Sequence, residues 1–290
     1  MLSLRAGAML SGAGAGMNDA NQSLGRRRGF TLVELLMTIG IILVLIGILV
    51  PVLSMARGHA QEVRCLSNQR SLIQAMLSYA ADNSGYLPPP NWDGGVNPLL
   101  SSPPGTPLPC GWLYNPNKLV ASHTFQQTDS TTGVLYQYLT NLDVYRCNAD
   151  DGNWASNTVQ VVTSYMMNGA VCDYGNGGLP EKLRAFKSRS ILLWEIPVDL
   201  QNDTGLVNDG ADYPAEGVTT RHSNGSTVGF IDGHAELMTW TQFTNEWFTN
   251  APGMLWCAPH SSGNDGGKST YIANTGSFPT SPPPQPANSG

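Results

Sequence analysis

The chemically informative residues near the amino terminus are Glu34 and the pair Gly29-Phe30. Together they could supply the two charges of an ion pair between two copies of the chain. Glu34 lies in an apolar stretch, where a carboxylate costs about 2–4 kcal/mol and needs a cationic partner. If the chain is cut between Gly29 and Phe30, the new α-amino group of Phe30 stands four residues before Glu34. Because a neighbouring copy carries the same amine, the spacing predicts pairing between subunits.

His222 and Asp232 are a second candidate, since these residue types serve in acid–base catalysis and in metal binding. Asn224-Gly225 predicts a two-residue hairpin turn, which places His222 opposite Thr227. Asp232 then lies about 16 Å farther along the ladder, at about 3.3 Å per residue. We therefore expect Asp232-Gly233 to form a turn and His222 to hydrogen-bond at a strand end, rather than the two to form a catalytic or metal pair.

Metal binding has two further candidate groups. His234 is nearer to Asp232, but one histidine and one aspartate do not supply the three or four protein ligands of a zinc site. An acidic loop offers oxygen ligands for calcium but lacks the EF-hand spacing. The loop candidates are Asp199, Asp203, Asp209 and Asp212. A calcium loop and a solvated acidic loop both stay open, and no other cofactor is predicted.

The sequence contains five cysteines that are disulfide candidates in an oxidising compartment. They are Cys65, Cys110, Cys147, Cys172 and Cys257. Two disulfides and one free thiol are permitted, and the sequence does not choose among about fifteen pairings. No Gly-x-Ser-x-Gly elbow, phosphate loop or cysteine-rich zinc pattern occurs, so no enzyme is predicted.

The element that must position Glu34 is an apolar run. Residues 35–50 contain no charge, and residues 30–53 form about 36 Å of helix, enough to cross a hydrocarbon core of about 30 Å. Three arginines at positions 26–28 precede the run and only Arg57 follows closely. This bias predicts a single membrane span with a cytoplasmic amino terminus and the rest of the chain on the outer side.

Residues 29–36, Gly-Phe-Thr-Leu-Val-Glu-Leu-Leu after a short basic stretch, resemble the amino-terminal signal of type IV prepilins and type II secretion pseudopilins. The resemblance implies that a prepilin peptidase cuts after Gly29 and methylates Phe30, and that Glu34 guides assembly. It also implies a location in the bacterial inner membrane, with the carboxyl-terminal domain in the periplasm. The implied partners are copies of the chain or other pseudopilins, the peptidase and an inner-membrane assembly platform. An uncleaved signal anchor, and a secretory signal peptide cut after Ser54-Met55-Ala56, are the alternatives.

A second resemblance runs from His222 to Gly233. Histidine, nine residues and Asp-Gly form a signature of large prepilin-like proteins in some bacterial phyla, and the segments beginning at Cys65 and Tyr145 look like other landmarks of that group. Proline usually follows the second cysteine there, whereas this chain has Asn148. This resemblance implies no agreed chemistry.

The remaining periodicity predicts an α+β, pilin-like fold with a long amino-terminal helix on an antiparallel sheet of four or five strands. The helix should continue to the stop signal at residues 83–85. Its expected apolar stripe is Val63, Leu66, Ile73, Leu77 and Ala80. The predicted strands are residues 158–167, 190–196, 218–222, 227–231 and 235–240.

These elements divide the chain into a leader (1–29), a transmembrane helix (30–53), an extracytoplasmic half-helix (54–84), a head (85–260) and a disordered tail (261–290). Cleavage after residue 29 leaves 11 basic and 20 acidic residues, a net charge of −9, which disfavours nucleic-acid binding. The predicted function is a structural subunit of a type II secretion pseudopilus or type IV pilus-like filament. The alternative is a membrane-anchored binding or hydrolytic domain that uses the signal only for export.

Overall fold

The structure is a computed structural model that describes residues 29–91, 109–118, 125–150, 162–175, 180–196, 210–249, 252–261, 263–269 and 272. The chain forms two compact units, Met1–Val50 and Pro51–Gly290. Within the described residues, one helix is long and apolar enough to cross a membrane by length and composition. This helix, α1, extends from Leu32 to Asp82 and contains Pro51.

The carboxyl-terminal end of α1 follows the predicted stop signal. Ser84 and Gly85 have φ values of 57° and 84°, in the left-handed region. The Gly85 backbone N–H donates to the Ala80 carbonyl at 2.8 Å, which satisfies one of the carbonyls that a helix leaves unpaired at its end. The prediction for this boundary is therefore confirmed.

The packed face of α1 differs from the predicted apolar stripe. Ile73 and Ala80 are buried as expected, whereas Val63 is 64% exposed. The buried face instead includes Asn68 and Gln69. Asn68 donates to the Arg146 carbonyl at 3.0 Å, and Gln69 donates to the Thr227 carbonyl at 2.7 Å. Hydrophobic periodicity missed this face because these polar side chains pack inward by bonding to backbone carbonyls.

Five strands form one sheet in the order β3-β1-β2-β4-β5. They are β1 (Tyr165–Asn168), β2 (Ile191–Glu195), β3 (Ala211–Asp212), β4 (Gly225–Phe230) and β5 (Ala235–Thr239). Three pairings are antiparallel, and the short β3 pairs parallel with β1. The α+β prediction is confirmed, with a mixed rather than purely antiparallel sheet.

Three predicted strands differ from the structure. Residues 218–222 contribute only an isolated bridge between His222 and Gly225. Trp240, the expected end of the last strand, begins a second helix, α2 (Trp240–Trp247). Thr239 and Gln242 form a capping box at its start, the Thr-x-x-Gln signal of a helix amino terminus. The first predicted strand, 158–167, begins only at Tyr165 in β1: residues 162–164 are not in a strand, and residues 158–161 lie outside the described residues.

Short 3₁₀ segments fill much of the connecting structure. They are Pro116–Lys118, Gln127–Thr132, Val134–Gln137, Leu142–Tyr145, Gly169–Gly175, Leu183–Ala185 and Pro214–Glu216.

The sheet is covered on both faces. On one face, Gln69 and Ile73 of α1 approach β4 so closely that a Cβ on Gly229 would meet the Ile73 Cδ1 at 2.2 Å. On the other face, Trp194 and Phe230 belong to a buried cluster with Phe243 and Trp247 of α2. The sheet therefore lies between two apolar layers, one from α1 and one from α2.

We expect Gly133→Ala to destabilise the head. A Cβ at Gly133 would meet the Leu113 carbonyl carbon and oxygen at 2.4 Å, and backbone cannot move aside as a flexible side chain can. The expected loss in the free energy of unfolding is about 1–3 kcal/mol, measured by chemical denaturation of the detergent-solubilised full chain. Gly58→Ala is the control, since its Cβ would meet nothing within 4 Å and helical alanine is favoured by about 1 kcal/mol. Equal stability of the two variants would contradict the prediction.

Candidate functional site

Glu34 closes a capping box at the start of α1. The Thr31 backbone N–H and hydroxyl donate to Glu34 Oε2 at 2.9 and 2.8 Å, and the Glu34 backbone N–H donates to Thr31 Oγ1 at 3.2 Å. These bonds satisfy donors that a helix amino terminus leaves unpaired. Sequence reasoning missed this role, although Thr31 and Glu34 have the spacing of the motif. Gly29 and Phe30 precede the helix and are exposed.

The hairpin turn after His222 lies one residue earlier than predicted. Its central residues are Ser223 and Asn224, with φ values of 45° and 62°. His222 pairs with Gly225 through two backbone hydrogen bonds of 3.0 and 2.7 Å, instead of facing Thr227. Positive φ at both central residues is the type I′ geometry that suits the strand twist. Moving the turn by one residue changes the partner of His222 from Thr227 to Gly225, two positions away on β4, so the predicted pairing was wrong although the face of the hairpin is the same.

Asp232 and Gly233 form the turn between β4 and β5. Gly233 has φ +98°, and its backbone N–H donates to the Phe230 carbonyl at 3.0 Å. The Asp232 carboxylate accepts a hydrogen bond from the His234 backbone N–H at 3.2 Å and contacts the His234 ring. His222 and Asp232 therefore lie at opposite ends of β4.

His222 instead belongs to a buried group that sequence reasoning did not assemble. One donor atom from each of four residues lies within 4.8 Å of the other three. We call this group the four-donor cluster, and its members are Cys65, Cys147, Glu195 and His222. All four residues are at most 3% exposed.

Four separate segments bring the donors of the four-donor cluster together. Cys65 lies on the buried face of α1, Cys147 follows a 3₁₀ segment, Glu195 ends β2 and His222 precedes the hairpin turn. His222 Nε2 lies 3.2 Å from Cys147 Sγ and 3.3 Å from Glu195 Oε1. Sequence reasoning missed Glu195 because it reads as part of a buried strand. Sequence patterns also provided no reason to expect contact among Cys65, Cys147 and His222, because each belongs to a different motif segment.

The four-donor cluster changes the acidity of its own members. A hydrogen bond from Cys147 lowers the pKa of Cys65 to about 6, against the effect of burial. Burial alone would lower the pKa of His222, but its contacts with Cys65 and Glu195 raise it to about 10. Burial alone would raise the pKa of Glu195, but the contact with His222 keeps it below its usual value. The protein thus favours ionised forms of three buried groups.

A buried ion pair lies beside the four-donor cluster. The Arg221 guanidinium is 3.3 Å from Asp150 Oδ1, and the two side chains are 1% and 0% exposed. The positive charge of Arg221 also favours ionised Glu195, whereas the hydrogen bond with Cys65 and burial hold the pKa of Cys147 well above its usual value. This region of the head therefore concentrates charge that a hydrophobic core normally excludes.

The other predicted site residues do not join the four-donor cluster. No disulfide joins the five cysteines, all of which lie in the described part of the chain, and Cys110, Cys172 and Cys257 lie outside the four-donor cluster. Asp212 is buried in β3. The other calcium candidates, Asp199, Asp203 and Asp209, lie outside the described residues, so calcium binding by this loop stays a prediction.

The comparisons with known proteins address the amino-terminal signal. The family described as "Prokaryotic N-terminal methylation motif" matches residues 24–50, which include Gly29, Phe30 and Glu34. The chain therefore carries a prepilin-type methylation motif at the start of its apolar helix.

Two relatives have the same printed name. The chain is 35% identical to the type II secretion system core protein G of Pectobacterium carotovorum subsp. carotovorum over 96 residues, which cover 33% of this chain and 60% of the relative. It is also 35% identical to core protein G of Klebsiella pneumoniae over 82 residues, which cover 28% of this chain and 56% of the relative. The chain thus spans somewhat over half the length of these relatives. No solved structure matches it significantly.

These findings confirm the resemblance to pseudopilins, and the chain is homologous to type II secretion system core protein G. With the apolar helix α1, they support anchoring in a membrane. The match to the methylation-motif family ends at residue 50. It does not include the His222–Gly233 signature, which therefore stays a resemblance.

Proposed function

We propose that this protein is a structural subunit of a type II secretion pseudopilus or a type IV pilus-like filament. The observation that carries the proposal is the methylation motif at residues 24–50, which coincides with the start of the apolar helix α1. An apolar helix followed by a folded α+β unit suits a subunit that is stored in a bilayer before it assembles. The homology to core protein G supports a structural rather than a catalytic role.

The proposed topology follows from charge and composition. Arginines precede the apolar segment at positions 26–28, and positive residues flanking a membrane helix favour the cytoplasmic side. The head then lies in the periplasm. Prepilin peptidase and an inner-membrane assembly platform are the proposed partners, together with copies of this chain or other pseudopilins.

The proposed assembly step uses two charges that cleavage makes available. A cut after Gly29 creates an α-amino group on Phe30, and Glu34 of a neighbouring subunit offers the matching carboxylate. Pairing offsets the cost of burying both charges in an apolar helix bundle. Before assembly, the Thr31 backbone N–H and hydroxyl satisfy the same carboxylate by two hydrogen bonds within one chain.

Mass spectrometry of the membrane-extracted chain tests the processing that this function requires. We expect a mature protein that begins at Phe30 and carries one methyl group on its amine. Gly29→Val is the matched variant, because a branched side chain at the cut should block access of the peptidase and leave an unprocessed chain.

A wild-type chain with an intact amino terminus would contradict the proposal. A chain trimmed after Ala56 and released as a free domain would contradict it too, since that product lacks Glu34 and the apolar helix.

The alternative, a binding or hydrolytic head, would gain support from a pocket that gathers His222, His234, Asp232 or the acidic loop. The structure places His222 and Asp232 at opposite ends of β4, and His222 lies among buried thiols. Within the described residues, which leave out most of the acidic loop, no specific observation favours the alternative.

A further inference from the structure

We propose that the four-donor cluster binds one Zn²⁺ ion and forms a structural metal centre inside the head. This inference concerns the folding unit Pro51–Gly290 and does not depend on the proposed role in a filament.

The donor set matches zinc better than other common ions. Two thiols, one imidazole and one carboxylate are the three ligand types that zinc uses in proteins, and structural zinc sites take four protein ligands. Calcium and magnesium require mostly oxygen ligands, and the four-donor cluster has a single carboxylate. Soft thiolate donors in a closed four-ligand site therefore favour zinc.

The distances also agree with a tetrahedral ion. With zinc bonds of about 2.0–2.1 Å to nitrogen, 2.0–2.2 Å to oxygen and 2.3 Å to sulfur, tetrahedral ligands lie about 3.3–3.8 Å apart. The observed separations of His222 Nε2 are 3.2 Å from Cys147 Sγ and 3.3 Å from Glu195 Oε1. All four donors lie within 4.8 Å of one another, so small side-chain movements suffice to close the site.

Neighbouring backbone groups orient two of the ligands. The Ala149 N–H donates to Cys147 Sγ at 3.4 Å, a contact that stabilises a thiolate. The Thr227 N–H donates to Glu195 Oε2 at 3.3 Å, which leaves Oε1 toward His222. Such outer hydrogen bonds fix ligand orientation in metal sites.

Burial explains why an ion is needed. Burying several ionisable side chains costs free energy, whereas burying apolar side chains of similar size does not. A buried cluster of charged side chains is therefore stable only when its charges are offset. Two thiolates and a carboxylate carry three negative charges, of which Zn²⁺ offsets two; the adjacent Arg221 is already paired with Asp150 and adds no net charge. The contact between Ser223 Oγ and Glu62 Oε2, 2.7 Å, holds the turn after His222 against α1 beside Cys65.

Elemental analysis of the full-length chain, purified in detergent without a polyhistidine tag or chelator, tests the proposal. We expect about one zinc per chain. Cys147→Ser and His222→Gln should each lower the zinc content by about tenfold or more, since even the loss of an outer hydrogen bond weakens metal binding by about 10–100-fold. Cys172→Ser is the matched control, because this buried thiol lies outside the cluster and should leave the zinc content unchanged.

A second set of measurements uses only the wild-type chain, so it tests the proposal even if the ligand variants fail to fold. Wild-type chain exchanged into Co²⁺ should show the thiolate-to-cobalt charge-transfer absorption of a tetrahedral site, and a chelator should lower the melting temperature of the wild-type chain. Less than about a tenth of a zinc per chain, iron or copper as the main metal, or a Cys65–Cys147 disulfide in non-reducing peptide mapping would overturn the proposal. Zinc retained fully in both ligand variants would overturn it as well.

Discussion

Glu34→Gln is expected to leave processing at Gly29 intact and to remove the chain from filaments. Glutamine can still accept the hydrogen bonds from Thr31, so the capping box survives, but the negative charge is lost. A neighbour's Phe30 amine then enters the apolar bundle unpaired, at a cost of about 2 kcal/mol or more. That cost corresponds to a reduction in incorporation of about thirtyfold or more, measured as the filament-to-membrane ratio of the processed chain.

The capping role of Glu34 requires its own control. Thr31→Ala removes the hydroxyl that pairs with Glu34 and costs the isolated helix about 1 kcal/mol, but keeps the charge. We expect this variant to be incorporated nearly as well as the wild type. The reverse pattern, with Glu34→Gln incorporated and Thr31→Ala excluded, would show that the helix cap matters and would refute the intersubunit ion pair.

The second large effect concerns the ion pair beside the four-donor cluster. Arg221→Met should lower the free energy of unfolding by about 3–5 kcal/mol, because it leaves the Asp150 carboxylate buried without this guanidinium. Both side chains are at most 1% exposed, so water cannot replace the lost charge. Denaturant unfolding followed by tryptophan fluorescence measures the change.

A second arginine–carboxylate pair in the same head provides the matched control. Arg189 and Glu236 lie 3.0 Å apart, closer than Arg221 and Asp150, but their side chains are 56% and 43% exposed. Arg189→Met should cost about 1–2 kcal/mol at most, from a surface ion pair and a cation–π contact with Phe230. Equal losses from Arg221→Met and Arg189→Met would mean that burial does not set the size of the effect.

The fold was largely predictable because its main signals are local. The apolar run, the stop at residues 83–85 and the strand periodicity of residues 190–196 and 235–239 are set by neighbouring residues in sequence. The strand β3 escaped prediction because two residues show no periodicity. Asn68 and Gln69 escaped because burial of a polar side chain depends on which distant carbonyls it meets.

The four-donor cluster could not be predicted for a similar reason. Its members come from four segments that are far apart in sequence, so they lack the short ligand spacing by which zinc motifs are recognised. The hairpin register was also predicted one residue too late, since Ser223-Asn224 rather than Asn224-Gly225 supplies the turn. That register sets only the backbone pairing of His222. Its contact with the two cysteines depends on how α1 and the segment after Tyr145 pack against the sheet, which no local pattern encodes.

The polar face of α1 has a mechanical consequence. Gln69 and Arg70 are tied to backbone carbonyls of β4 and β5, at 2.7 and 3.0 Å. A tensile load along this part of α1 would pass directly into the main chain of those strands as shear. Separating the helix from the sheet would then require both hydrogen bonds to break together. An apolar contact alone has no fixed partner atoms, so it could shift gradually along the helix.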